Sequence, residues 1–357
     1  MKCSRRTWLA SLSAGAVVAR WGIKNASGNE RPRVPWLAEV QTPPAKLPPD
    51  APELSDLLQT KEGEKIDSLD AWKKRRAELR NDWLEFLGPL PAERTAPPKL
   101  KVLAEDRVEN VVRQLVEYEV EPELLTQAYL VQPRAAQGKL PGAVVFHSTV
   151  NHSIRQPAGV EGAPEKAFGL KLAQAGWVCF CPRNYLWPTN DRIAAQAEAE
   201  RFAQRMPKSK GMAKMLYDGL VAVDILAAQP NVDAARLAAV GHSLGAKEAL
   251  YQAAFDERIA VAVSSEGGIG TRFSNWEAPW YLGPAIRDGS WTREHHELLA
   301  LVAPRPFLLV GGESADGDRG WPFLQKALPV YRLYDSTNPP PLGFFNHRQG
   351  HAVPPIA

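Results

Sequence analysis

The sequence predicts an α/β fold with a mostly parallel central sheet and helices on both faces. After Pro164, short apolar runs alternate with longer stretches at helical spacing, the order that builds strand–helix–strand units. Those runs are apolar throughout rather than at every second position, as strands covered on both sides require. A chain of 357 residues with 45% hydrophobic side chains can also bury a core of that size.

Taken in chain order, residues 1–27 read as a twin-arginine export signal. Lys2, Arg5 and Arg6 precede a mostly apolar run from Trp8 to Ala19. The run is too short to span a membrane permanently, so no stable span is expected after processing. The expected location is periplasmic or extracellular. Removing this segment takes away five basic and no acidic side chains and leaves 38 basic against 40 acidic. That balance gives no basic patch to suggest nucleic acid as a partner.

Residues 28–100 are expected to form a proline-rich leader and a helical extension. "RPRVPW" and "QTPPAKLPPDAP" have the composition of an extended segment. Ser68 sits as an N-cap before a helix ending at Leu87, and "GPLPAERTAPP" breaks it. The remaining domain, 101–357, opens with "VVRQLVEYEV", "LTQAYLVQP" and "GAVVFH", strand-like runs that lead into a central strand. Then "EKAFGLKLAQAG" reads as helix, "WVCFCP" as strand, "MAKMLYDGLVAVDILAAQP" as helix and "RLAAV" as strand. "AKEALYQAAF" reads as helix, and "IAVAVSS" and "RPFLLVGG" as strands. Residues 270–297, with Trp276, Trp280 and Trp291, read as an insertion above the sheet. Cys179 and Cys181 point to one face of a strand, where a mutual bridge is strained; two buried thiols are expected.

The chemistry is concentrated at "AAVGHSLGAKEAL", where Gly241, Ser243 and Gly245 make a G-x-S-x-G string between a strand and a helix. In the α/β-hydrolase arrangement such a turn leaves the serine exposed above the sheet, flanked by glycines because nothing larger fits. Ser243 is the expected nucleophile. A histidine must take its proton and an acid must orient that imidazole, both from later in the chain. His351 follows a loop glycine and is preferred to His347. Asp316, in "ESADGDRGW", is the first choice of acid, with Glu266 in "VSSEGGIG" as the alternative. The oxyanion hole is expected from the N–H groups of Leu244, at a helix N-terminus, and Thr149, with Ser148 next in line. His147, His152, His242, His295 and His296 lack H-x-x-x-H spacing, and there is no C-x-x-C. From those residues neither a metal nor a cofactor is expected.

These residues resemble those of α/β-hydrolase carbohydrate esterases, especially the bacterial acetylxylan and glucuronoyl esterases. The resemblance runs from about Trp72 to His351. Glucuronoyl esterases carry G-C-S-R-x-G-K around the nucleophile; this chain has "GHSLGAK", which keeps the lysine as Lys247. "SSEGGIG" places Glu266 like the family's glutamate, and "HHELLALVAPRPFLLV" is similar to its run into the penultimate strand. Leu244 replaces the family arginine that assists the oxyanion, and His242 replaces the cysteine. The resemblance implies a serine esterase acting through an acyl-enzyme on an acetylated xylan, a glucuronate ester or another polar ester, small or polymeric. Lys247, Trp276 and Trp280 are then candidate substrate contacts. Rival expectations are a prolyl-oligopeptidase-like peptidase and a non-catalytic carbohydrate-binding protein on the same fold. The fold commonly closes with one more helix, so a chain ending at Ala357 is expected to be a fragment or to have a short C-terminus. Oligomeric state is not legible.

Overall fold

A computed structural model describes residues 39–135, 138–188 and 192–354. The export signal and the leader up to residue 38 lie outside the described residues. From Glu39 onward the chain forms one compact unit. After a 3-10 turn at Glu39–Gln41 its first α-helix is α1 (Leu69–Leu87), capped by the Ser68 side chain, which accepts from the Ala71 N–H at 3.3 Å. Trp72, Leu79, Trp83 and Leu87 recur along one stripe of α1 and are buried in the main core.

Nine strands form one sheet: β1 (Lys101–Val108), β2 (Val111–Glu121), β3 (Leu124–Pro133), β4 (Leu140–Phe146), β5 (Val178–Pro182), β6 (Val232–His242), β7 (Ile259–Ser265), β8 (Phe307–Gly311) and β9 (Leu342–Asn346). Their spatial order is β1-β2-β3-β5-β4-β6-β7-β8-β9. The six from β5 to β9 run parallel, and β1 to β3 add an antiparallel edge. This is the mostly parallel sheet that the apolar runs predict.

Side-chain alternation sorts each central strand between two cores. Val144, Phe146, Val178, Phe180 and Ala239 face the larger one, while Ala143, Val145, Cys179, Cys181 and Ala238 face the smaller. α2 (Phe168–Gln174) covers the smaller core. α4 (Gly211–Ala227), α5 (Leu244–Phe255), α6 (His296–Val302) and α7 (Trp321–Tyr334) pack on the other side with α1. Cys179 and Cys181 are both free and buried, and burial pushes both thiols up. Among the described residues no helix is long and apolar enough to cross a membrane.

Several elements lack a clear signal in the sequence. β1 is exposed along most of its length and carries no apolar alternation; pairing with β2 makes it a strand. α3 (Ala195–Arg205) buries only Ala199 and Phe202. α7 carries Pro322 in its first turn, where no N–H partner is lost, and Pro329 further in. The stretch 270–297 is less an insertion above the sheet than part of the core, since Trp276, Tyr281, Leu282 and Ile286 are all buried.

Candidate active site

β6 delivers Ser243 to the carboxyl edge of the sheet, and α5 starts at the next residue. The reversal is so tight that a side chain on Gly241 would overlap the Gly245 carbonyl, and one on Gly245 would overlap the carbonyl of Phe146. Glycine at both flanks is therefore a steric requirement. Ser243 itself has φ 61° and ψ −118°, a left-handed backbone that costs a non-glycine residue about 1–3 kcal/mol and persists only where the surroundings impose it. Part of that imposition is visible: the Ser243 N–H donates to the Ser265 carbonyl at 2.8 Å. The serine is half-buried.

β7 ends at Ser265, and Glu266 follows with φ 55°, a second left-handed non-glycine residue one strand over. Its buried carboxylate accepts the Ala315 N–H at 2.7 Å and a short bond from the Gly312 N–H, and it meets His351 Nδ1 at 3.2 Å. Burial works to raise the pKa of this group, but the bonds from His351, Ala315 and Gly312 outweigh it and hold the carboxyl below its usual range. With Nδ1 donating to Glu266, Nε2 of His351 is left as the proton acceptor.

Asp316, the first expectation for the acid, does not meet the imidazole. Its buried carboxylate accepts from the Gly268 N–H at 2.8 Å and the Ile269 N–H at 2.5 Å, so it braces the loop that carries Glu266. Burial raises its pKa to about 6, against the two amide bonds. His347, the alternative imidazole, points elsewhere: its Nδ1 accepts from the Gln349 N–H at 3.1 Å.

His351 and Ser243 share no hydrogen bond. The imidazole instead lies against the neighbouring His242 ring, centroid to centroid 4.6 Å. The His351 side chain is 42% exposed, and catalytic hydrogen bonds commonly tighten only when substrate is bound. His242 is buried, with Nδ1 3.0 Å from Ser265 Oγ, and burial lowers its pKa to about 3. No sequence motif marks His242 as the ring that packs against His351.

Leu244 begins α5, so its N–H has no acceptor within the helix. Across from it, the loop after β4 separates the two other candidate donors. The Ser148 N–H is taken by Gln156 Oε1 at 2.9 Å, whereas Thr149 is exposed with no acceptor for its N–H. Beneath that loop His147 donates through Nδ1 to the Ser148 carbonyl at 2.8 Å and accepts the Asn184 N–H at 3.2 Å. Gln156 and Asn184 are anchors that no sequence motif signals, lying 8 and 37 residues from the groups they bond.

The expected substrate contacts are largely enclosed. Lys247 Nζ donates to the Gly267 carbonyl at 2.5 Å and lies 4.0 Å from the centroid of the Trp276 ring. Both residues are buried, and Trp276 Nε1 donates to the Gly268 carbonyl at 2.7 Å. Lys247 and Trp276 thus cover each other rather than a ligand. Burial lowers the Lys247 pKa to about 7, with Asp316 opposing. Trp280 is half-buried, its carbonyl accepting from Tyr185 at 3.4 Å. His295 and His296 are buried separately, against Tyr251 and Ser55.

Comparison with known proteins fits this architecture. Residues 126–297 match the dienelactone hydrolase family. YtaP of Bacillus subtilis (strain 168), whose name goes no further than hydrolase, is 28% identical over 249 residues, 66% of this chain and 80% of that protein. A glucuronoyl esterase from Solibacter usitatus superposes with a TM-score of 0.64 at 20% identity, covering 87% of this chain and 96% of that one. A glucuronoyl esterase from Teredinibacter turnerae T7901 gives 0.59 at 21%, covering 84% and 85%. Identities this low speak for a shared fold, and a fold alone does not fix a substrate.

Proposed function

We propose that this chain, which carries a dienelactone hydrolase family domain in residues 126–297, is a serine esterase acting on a carbohydrate ester. The observation that carries the reading is the backbone of Ser243, held at φ 61° between β6 and α5. It lies on the same sheet edge as an imidazole already bonded to a buried carboxylate.

Ser243 Oγ attacks the ester carbonyl while His351 Nε2 takes its proton. Glu266 holds the opposite ring nitrogen and stabilises the imidazolium as it forms. The carbonyl oxygen, now negative, accepts from the Leu244 and Thr149 N–H groups, helped by the N-terminal end of the α5 dipole. Collapse breaks the bond to the alcohol, which leaves with the proton from His351, and the acyl group stays on Ser243. Water, deprotonated by the same imidazole, then releases the acid and restores the serine.

The carbohydrate side of the proposal is supported by the names of the solved structures that share the fold. Leu244 supplies only a backbone donor to the oxyanion, where the esterases this chain resembles carry an arginine that would add a charge. Export is also part of the proposal, supported by Lys2, Arg5 and Arg6 ahead of an apolar run. It is tested by whether Arg5→Lys with Arg6→Lys retains the protein in the cytoplasm.

The activity is tested with p-nitrophenyl acetate and acetylated xylo-oligosaccharides. Ser243→Ala is expected to reduce turnover to the level that binding and the oxyanion donors sustain alone. Undiminished turnover in that variant rejects the reading.

A further inference from the structure

The carboxyl edge of the sheet continues past the serine. Phe146 of β4 is level with Gly241 of β6, and Val144 is level with Phe180 of β5. Past the strand ends the Asn184 N–H donates to His147 Nε2 at 3.2 Å and the Ser148 hydroxyl donates to the His242 carbonyl at 3.2 Å, so the segment after β5 stands beside the loop after β4, and that loop beside the turn that carries Ser243. Two strand spacings, about 10 Å, therefore separate the serine from the end of β5.

At that point a cleft of about 980 Å³ opens between the tip of the β2–β3 hairpin, the segment after β5, and α3 with α4. Its volume is near the top of the range of about 300–1,000 Å³ for small-molecule sites. Trp187 joins it to the catalytic edge. The indole lines the cleft, donates through Nε1 to the Val150 carbonyl at 2.9 Å, and meets the His147 ring edge-on at 4.6 Å. Val150 directly follows Thr149, so the cleft and the proposed oxyanion loop share a wall.

The charges that line the cleft balance in number. Four acidic and four basic side chains line it. Lys214 pairs with Asp218 at 2.5 Å and with Glu121 at 2.8 Å, Arg205 pairs with Glu121 at 2.8 Å, and Arg201 pairs with Glu198. At Lys214, Arg205 and Arg201 an anionic ligand meets a carboxylate already in place. The remaining surface combines hydrogen-bonding groups such as Gln127 with the apolar faces of Tyr185, Phe202 and Leu125, the last 61% exposed. Ring hydroxyls and C–H faces of a sugar present the same alternation.

We propose that this cleft binds a neutral oligosaccharide, the alcohol side of an ester whose acyl group sits at Ser243. The link to hydrolysis rests on the esterase reading above; the binding itself does not. A small acetyl ester cannot reach from the serine into the cleft, so the two substrate sizes separate the two sites.

The test uses the full chain. In Ser243→Ala, titration with deacetylated xylo-oligosaccharide is expected to give saturable binding with a Kd of about 1 mM or tighter. Thr126→Trp, which fills the cleft from the hairpin, and Gln127→Ala should each weaken it, the former by about tenfold or more. Leu125→Asp, at an exposed site, is a second blocking variant should Thr126→Trp fail to fold. In the active enzyme the same changes should raise KM for acetylated xylo-oligosaccharide and leave p-nitrophenyl acetate hydrolysis unchanged. Absence of saturable binding, or binding that the blocking variants do not alter, overturns the proposal. Equal loss on both substrates overturns it too. Binding by a protein that cleaves no ester would keep the cleft and reject only the esterase reading.

Discussion

Glu266 and Asp316 each hold the loop that carries the other. The Glu266 carboxylate accepts from the Gly312 and Ala315 N–H groups, just before Asp316; the Asp316 carboxylate accepts from the Gly268 and Ile269 N–H groups, just after Glu266. Two strand-end loops are thereby fastened to one another by two buried acids. Only Glu266 also reaches His351.

Glu266→Gln and Asp316→Asn should consequently differ in kind. Losing the carboxylate that orients His351 is expected to lower kcat on p-nitrophenyl acetate by about 10²–10⁴-fold with little change in KM. Asp316→Asn turns an NH₂ toward a backbone donor and should cost about 1–3 kcal/mol of stability, read as a lower Tm, while retaining most of kcat. Steady-state kinetics and thermal melts check both. The reverse ranking in kcat would assign the orienting role to Asp316.

Gln156 holds the oxyanion loop through the Ser148 N–H. Gln156→Leu leaves that buried amide without an acceptor, at a cost of about 1–3 kcal/mol, and frees Thr149 to drift. The expected outcome is a lower kcat at unchanged KM for small esters, together with a lower Tm. Wild-type kcat would mean that the loop is fixed by other contacts.

His242 supports His351 by ring contact. His242→Ala removes a contact of about 0.5–1.5 kcal/mol. Losing this contact loosens the imidazole that Glu266 orients, so kcat should fall by about two- to tenfold, and His242→Phe, which restores an aromatic face, should recover most of it. Identical kinetics for the alanine variant and wild type would remove His242 from the positioning role.

Lys247 gives stability a pH dependence of known sign. The folded protein releases its proton near pH 7, the unfolded chain only near its ordinary pKa of 10.5. Between those values the unfolded state binds more protons, so stability rises with pH, by up to about 1.4 kcal/mol per pH unit. Below about pH 7 both states are protonated and the cost of the buried charge is fully present. Wild-type Tm should therefore gain on that of Lys247→Met as the pH is raised from about 7 to 10. A constant difference over that interval would contradict a buried, depressed lysine.

The parts of the molecule legible in the sequence are those whose physics is local. Ser68 caps its helix by a bond to Ala71, three residues on. The glycines around Ser243 report a steric limit within one turn, and the apolar runs of β4 to β8 report burial on both faces. What escaped the sequence depends on contacts between distant positions. The choice between Glu266 and Asp316 turns on which loop end faces His351, 85 residues from Glu266. Lys247 and Trp276 carry the composition of a sugar site, yet they face each other in the core. β1, polar and exposed, is a strand only because β2 is beside it.

The central claim is that the Ser243 hydroxyl is activated by His351. Labelling the folded protein with a fluorophosphonate, followed by peptide mass mapping, tests it most directly. The expected result is a single adduct on Ser243 that forms far more slowly in His351→Ala and is absent from Ser243→Ala. An unlabelled Ser243 in well-folded protein, or labelling whose rate ignores the loss of His351, would contradict the account.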